Sequence, residues 1–239
     1  MDNNVSDINV IYKKIVLDNS RFGSLVFVDY YRYGSDNNSS IPLVIYIGGS
    51  MSDGKYEQRR KTRPELIDVE FLKAYREISN CQCIDLLISP PPPQEHHIAH
   101  DILPREFFIF LMKKVLIHTQ NPRPNSMAII GYSYGAYLAT YIAFVLPMVY
   151  SLSTIGGGGM DYAALQCRNS FLNNKKIFIF SNTNDGTEDE DRKFLKYLSS
   201  QNKESEIFKR EGSHTFSDYV NNNSVKDAFK LAIESVCRY

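Results

Sequence analysis

The chain has 239 residues with 43% hydrophobic content, enough for one domain with a sizeable core. Lys plus Arg and Asp plus Glu total 27 each, so no global field favours nucleic acid or an anionic membrane, and neither is an expected partner. The polar, acidic start, Met1 to Asp7, lacks the pattern of a signal peptide, and the longest apolar stretch, Ala136 to Val145, is too short for a membrane span; a cytoplasmic protein is the expectation. Cys81, Cys83, Cys167 and Cys237 show no metal-finger spacing and read as buried free thiols.

In chain order, Val10 to Leu17 and Ser24 to Tyr31 are β-rich and separated by Asp18-Asn19-Ser20 and Gly23, which predicts a hairpin. Leu43 to Ile47 is apolar at every position, as in a central strand covered on both faces, and runs into Gly48-Gly49-Ser50-Met51. Pro64 to Ser79 has apolar residues at helical spacing, with proline in its first turn. Cys83 to Ile88 is the next strand, stopped by Pro90 to Pro93, a stiff extended segment. Ile102 to His118 reads as a helix, Asn121 to Asn125 as a turn, and Met127 to Ile130 as a short strand.

Beyond residue 135 the periods keep alternating. Ala136 to Leu146 is a predicted helix and Val149 to Ile155 a strand that runs into Gly156 to Gly159. Lys176 to Phe180 is a strand, followed by an acidic loop, Asn182 to Asp191, and a helix through Leu198. Glu206 to Lys209 is the last strand and Ser224 to Val236 the last helix, with Ser224 and Asp227 spaced as a capping box. Alternating strands and helices from residue 41 onward predict an α/β three-layer sandwich: a mostly parallel sheet with helices on both faces, in a single domain. Only about twenty residues separate Ile155 from Lys176, too few for a large helical lid. The expected roof is short loops: Gly156 to Ser170, Ser89 to Asp101, and residues near Met51.

Gly131-Tyr132-Ser133-Tyr134-Gly135 lies between the strand at Met127 and the helix at Ala136, the context in which G-x-S-x-G forms a nucleophile elbow. A serine hydroxyl needs a base to take its proton and a third group to orient that base. Asp185 follows the strand that starts at Lys176, and His214 follows the last strand, so the order Ser133, Asp185, His214 places all three at strand ends. Asp161 is a second candidate acid, and Glu188, Asp189, Glu190 and Asp191 suit a solvated helix start beside the helix dipole.

With these residues in place, the chain resembles the α/β-hydrolases over nearly its whole length. The resemblance implies an eight-stranded sheet, Ser133 as nucleophile, Asp185 as acid and His214 as base. It also implies an oxyanion hole from the N–H of Tyr134 and one from the loop at Gly48, donated by Gly49 or Ser50. Ile47 stands where the commoner pattern has histidine before the glycines. The expected reaction is cleavage of an ester or thioester of a small-molecule acyl substrate through an acyl-enzyme, with no cofactor. An acyltransferase or peptidase would use the same triad, and a non-catalytic binding protein could retain the fold.

Met51, Tyr132, His96 and His97 are candidate pocket residues. Glu95-His96-His97-Ile98-Ala99-His100-Asp101 offers histidines four apart, but it is not H-E-x-x-H and follows four prolines, so it reads as a pocket wall or surface loop with no metal. Arg59-Arg60-Lys61 with Arg63 could draw in an anionic substrate, although a solvated loop is the commoner meaning.

Overall fold

The sheet is built from one antiparallel edge and a longer parallel run. A computed structural model describes residues 8–17, 26–35, 41–49, 63–78, 80–89, 109–113, 126–157, 175–201 and 203–237. β1 (Val10–Leu17) and β2 (Val26–Gly34) form the expected antiparallel pair, and β2 pairs antiparallel with β4 (Cys83–Ser89). The remaining strands are β3 (Leu43–Ile47), β5 (Met127–Tyr132), β6 (Val149–Ile155), β7 (Lys176–Asn184) and β8 (Ser205–Ser213). All pairs among β4, β3, β5, β6, β7 and β8 are parallel, and the sheet has eight strands in the order β1-β2-β4-β3-β5-β6-β7-β8.

Among the described residues, the sheet is flanked by α1 (Arg63–Ile78), α2 (Tyr134–Val145), α3 (Glu188–Ser200), α4 (Phe216–Asn221) and α5 (Ser224–Cys237). Residues 109–113 are also helical, inside the helix expected over Ile102 to His118. The central strands bury both faces. Ile45, Ile129, Leu152 and Ile179 pack with Leu138 and Ile142 of α2 and Phe194 and Leu198 of α3. On the other face Val44, Ile130, Phe178 and Phe180 pack with Phe71 of α1 and Phe229 and Ile233 of α5. Burial of that many large side chains, at about 1.5–3 kcal/mol each, is what holds the three layers together.

Polar ties secure the edges. Arg32 on β2 donates from Nε and Nη2 to the two oxygens of Asp85 on β4 at 2.8 and 3.0 Å, and Tyr30 donates to Asp85 at 2.9 Å. Lys175, buried before β7, donates through Nζ to the carbonyls of Leu146 at 2.7 Å and of Val149. It thereby satisfies the carboxyl end of α2, and burial lowers its ammonium to about 8.

Three expectations are corrected. Cys81 and Cys237 form a disulfide with Cα atoms 5.4 Å apart, so they are not free thiols; Cys83 is buried outside it. β7 and β8 run to Asn184 and Ser213, past the apolar runs, because the parallel backbone ladder continues through Ser181, Asn182, Lys209 and Arg210. The capping box at Ser224 does not form: the Asn222 carboxamide oxygen accepts from the Ser224 N–H at 3.1 Å, and Asp227 pairs with Arg210.

Candidate active site

Because β5 ends at Tyr132 and α2 starts at Tyr134, one residue makes the whole turn. Ser133 does so at φ 53° and ψ −122°, a conformation that costs a non-glycine residue of the order of 1–3 kcal/mol. The strain is held by the backbone on both sides. The Ser133 N–H donates to the Ile155 carbonyl at 2.8 Å, and its carbonyl accepts from the Ala136 N–H at 2.8 Å. Strand, turn and helix pass so close that a Cβ on Gly131 would fall on the Gly135 backbone, and one on Gly135 on the carbonyls of Ile47 and Gly48.

His214 follows β8 and sets its Nε2 2.9 Å from Ser133 Oγ. The residues around it fix that pose. Tyr132 donates its phenol to the His214 carbonyl at 2.7 Å and lays its ring along the imidazole, centroids 5.7 Å apart and planes 23° off parallel. Thr215 caps α4 by accepting from the Asp218 N–H, and Asp218 accepts from the Ser213 N–H at 2.8 Å.

Asp185 comes directly after β7, with its side chain fully buried and Oδ2 3.7 Å from His214 Nδ1. That separation is beyond a hydrogen bond, so the pair acts through charge, and among the described residues Nδ1 has no hydrogen-bond partner. Asp185 is anchored elsewhere: Oδ1 accepts from the N–H and the hydroxyl of Thr187, both at 2.7 Å, and Oδ2 from the Tyr219 phenol. Burial alone would raise the carboxyl, but His214, Tyr219 and Thr187 together outweigh it and hold Asp185 well below the usual carboxylate range. Burial, helped by Asp185, pushes the Tyr219 phenol far up, so it stays a donor.

Ser133, His214 and Asp185 are therefore brought together from three strand ends. Tyr134 opens α2, where the first amides of a helix point out of its end, and its ring stacks on Tyr137 with centroids 6.0 Å apart. Gly49 lies against the turn: a Cβ there would sit 3.0 Å from Ser133 Cβ and 2.9 Å from the Tyr132 ring. Tyr132 is buried and turned toward His214. Ser50, Met51, His96 and His97 lie outside the described residues, as do Asp161, the rest of the Glu95 to Asp101 cluster and Arg59 to Lys61. Among the described residues, no group of three or more His, Cys, Asp or Glu side chains is placed to hold a metal ion, and no helix is long and apolar enough to cross a membrane.

Sequence reasoning missed Tyr219, Thr187 and the helix α4. Thr215-Phe216-Ser217-Asp218 carries the signal for that helix start, a threonine with an acid three residues on. Tyr219 left no comparable signal, because its partner is 34 residues away.

No protein-family model and no curated protein matches the sequence. Solved structures do match in fold. An S-formylglutathione hydrolase from Staphylococcus aureus is 11% identical over 95% of this chain and 97% of its own, with a TM-score of 0.64. A ferulic acid esterase from Anaeromyces mucronatus, solved with ferulic acid, is 15% identical over 99% and 94%, with a TM-score of 0.65. A putative dienelactone hydrolase from Klebsiella pneumoniae is 13% identical over 97% and 100%, with a TM-score of 0.60. The chain has the α/β-hydrolase fold.

Proposed function

We propose that the protein is a serine hydrolase that cleaves a carboxylic ester or thioester of a small molecule through an acyl-enzyme. The observation that carries this reading is the 2.9 Å approach of His214 Nε2 to Ser133 Oγ on a strained turn, with the buried Asp185 charge behind the imidazole. The fold neighbours named as esterases and hydrolases agree with it.

In the proposed reaction His214 Nε2 takes the Ser133 proton as Oγ attacks the carbonyl carbon, and Asp185 stabilises the imidazolium that forms. Negative charge on the former carbonyl oxygen is met by the N–H of Tyr134 and by one from Gly49 or Ser50. Each such donor is worth about 3 kcal/mol of barrier. His214 then passes its proton to the leaving alcohol or thiol as the C–O or C–S bond breaks. Water, deprotonated by the same imidazole, attacks the acyl-enzyme and releases the acid and free Ser133. The 3.7 Å gap to Asp185 closes as the imidazole gains charge, since catalytic hydrogen bonds tighten in the complex.

The test is labelling with a fluorophosphonate, which phosphonylates an activated serine. Wild type should label and both Ser133→Ala and His214→Ala should not; labelling that survives Ser133→Ala would refute the nucleophile. A series of p-nitrophenyl esters of rising chain length, with thioesters alongside, then reports the acyl pocket.

A further inference from the structure

One buried carboxyl near the site takes no part in the proposed reaction. Asp191, in the first turn of α3, is fully buried, and among the described residues neither of its oxygens has a hydrogen-bond partner. The hydroxyls of Ser181 and Thr154 are buried and, among the described residues, unpartnered as well. Thr154 pairs with Ile179, and Ser181 lies two residues beyond Ile179, so both hydroxyls belong to the sheet face that packs on Phe194 and Leu198 of α3. Orphaned polar atoms gathered in this way, where more than nine in ten are normally satisfied, mark a place kept polar for a reason other than packing.

The link to the site is Thr187. Its carbonyl accepts the Asp191 N–H at 3.0 Å, while its own N–H and hydroxyl hold Asp185. A lone carboxylate in such a place is costly, so burial pushes Asp191 up to about 7, and the nearby charges of Asp185 and Glu190 add to this. The Ser181 and Thr187 hydroxyls pull the other way without completing a hydrogen bond. Among the described residues, the groups facing it are few. Asp185 faces it from the turn before α3, Glu190 stands beside it on α3, and Tyr219 of α4 feels its charge. Lys209 of β8 stands opposite Ser181 and is occupied by Glu188 at 2.8 Å. α2 carries no charged residue and meets α3 through Phe144 on Phe194.

We propose that Asp191 is a positioning residue for Asp185: neutral, it leaves the Thr187 hydroxyl to Asp185, and ionised, it competes for that hydroxyl and loosens the hold on Asp185 behind the imidazole. No bond is made or broken apart from the loss of one proton to solvent. The device makes the site's reactivity fall as pH rises through neutrality, on top of the titration of the reacting groups.

This inference rests on the serine-hydrolase reading, and the experiment separates the two. Carboxyl carbon-13 NMR of aspartate-labelled wild-type protein needs no variant and no turnover. The Asp185 resonance should move with a midpoint near neutrality, tracking Asp191, and in Asp191→Asn that movement should vanish; a flat Asp185 signal in the wild type overturns the proposal. The rate of Ser133 fluorophosphonate labelling is then compared over pH. The ratio of Asp191→Asn to wild type should rise by roughly two- to tenfold between about pH 5.5 and about pH 8.5, the scale of one weakened hydrogen bond. A constant ratio would mean a packing role only and overturns the proposal while leaving the hydrolase reading intact. No labelling of wild type at any pH overturns both.

Discussion

At the scale of single residues, two aspartates six residues apart are driven in opposite directions by their surroundings. Asp185 holds three donors, from Thr187 and Tyr219, and is stabilised as an anion. Asp185→Asn would keep the volume but present an amide N–H₂ to groups that must themselves donate. It is expected to lower kcat/KM on a p-nitrophenyl ester by about 10³–10⁴-fold. A loss below tenfold would show that another acid serves His214. The linkage signs also differ. The lowered Asp185 contributes stability that is present above its ordinary titration range near 3.8 and is lost as pH falls below it. Asp191, raised from 3.8 to about 7, is the reverse: between those values the native state holds a proton that the unfolded chain has released. Stability therefore falls as pH rises across that window, by an amount on the order of 4 kcal/mol, and is level above it. Asp191→Asn removes the fall. Its urea midpoint should exceed that of wild type at about pH 8 and converge on it toward pH 4. Equal midpoints at both pH values would mean that Asp191 is not buried as an acid.

At the scale of elements, the site is a set of strand ends, and its legibility varied with how local each cause is. Gly131 to Gly135 was readable because its constraint lies within five residues: strand, turn and helix must pass with no Cβ between them. Gly135→Ala would drive a methyl into the carbonyls of Ile47 and Gly48, both backbone and unable to yield. A loss of roughly 3 kcal/mol or more is expected, seen as a shifted urea midpoint with an unchanged slope. The order of Ser133, Asp185 and His214 was equally readable, since each follows a strand. The lengths of β7 and β8 were not, because hydrophobicity ends at Phe180 while the ladder runs on to Asn184 and Ser213. Nor was the placing of Asp191. Four consecutive acids read as a solvated helix start, and Asp189 fits that reading, but Asp191 shares a face with Phe194 and Leu198 and goes inside with them. Composition outweighed period in that reading. Tyr132 presents a related case: its role rests on its ring lying against His214, a residue 82 positions away. Tyr132→Phe keeps the ring against His214 and loses only the phenol, so it should reduce labelling far less than Tyr132→Ala; equal losses would assign the role to the hydroxyl.

At the scale of the whole molecule, the two edges of the sheet serve different ends. The carboxyl edge carries Ser133, Asp185 and His214, and the amino edge carries the covalent tie. Cys81 precedes β4, and α5 ends beside it: Ser126, just before β5, donates to the Val236 carbonyl at 3.0 Å, and Cys237 closes the disulfide. Spacing could not reveal the pair, because four cysteines allow three complete pairings and the two partners are 156 residues apart. That separation matters energetically. Closing so long a loop in the unfolded chain is worth up to about 5 kcal/mol in the chain-entropy account, and a disulfide persists only in oxidising surroundings. The fold's stability is therefore expected to depend on redox conditions, and the geometry of the site, at the opposite edge, is expected not to. A Cys81→Ser, Cys237→Ser double variant, or wild type in dithiothreitol, should melt roughly 5–15 °C lower. Its rate of fluorophosphonate labelling at 25 °C should match that of oxidised wild type. Thiol titration in denaturant fixes the count in each sample. If the oxidised protein yields all four thiols, or if its reduction leaves Tm where it was, the tie does not contribute in this way. If labelling falls along with Tm, the two edges are coupled through α5, which packs on α1 and beneath β5 and β6.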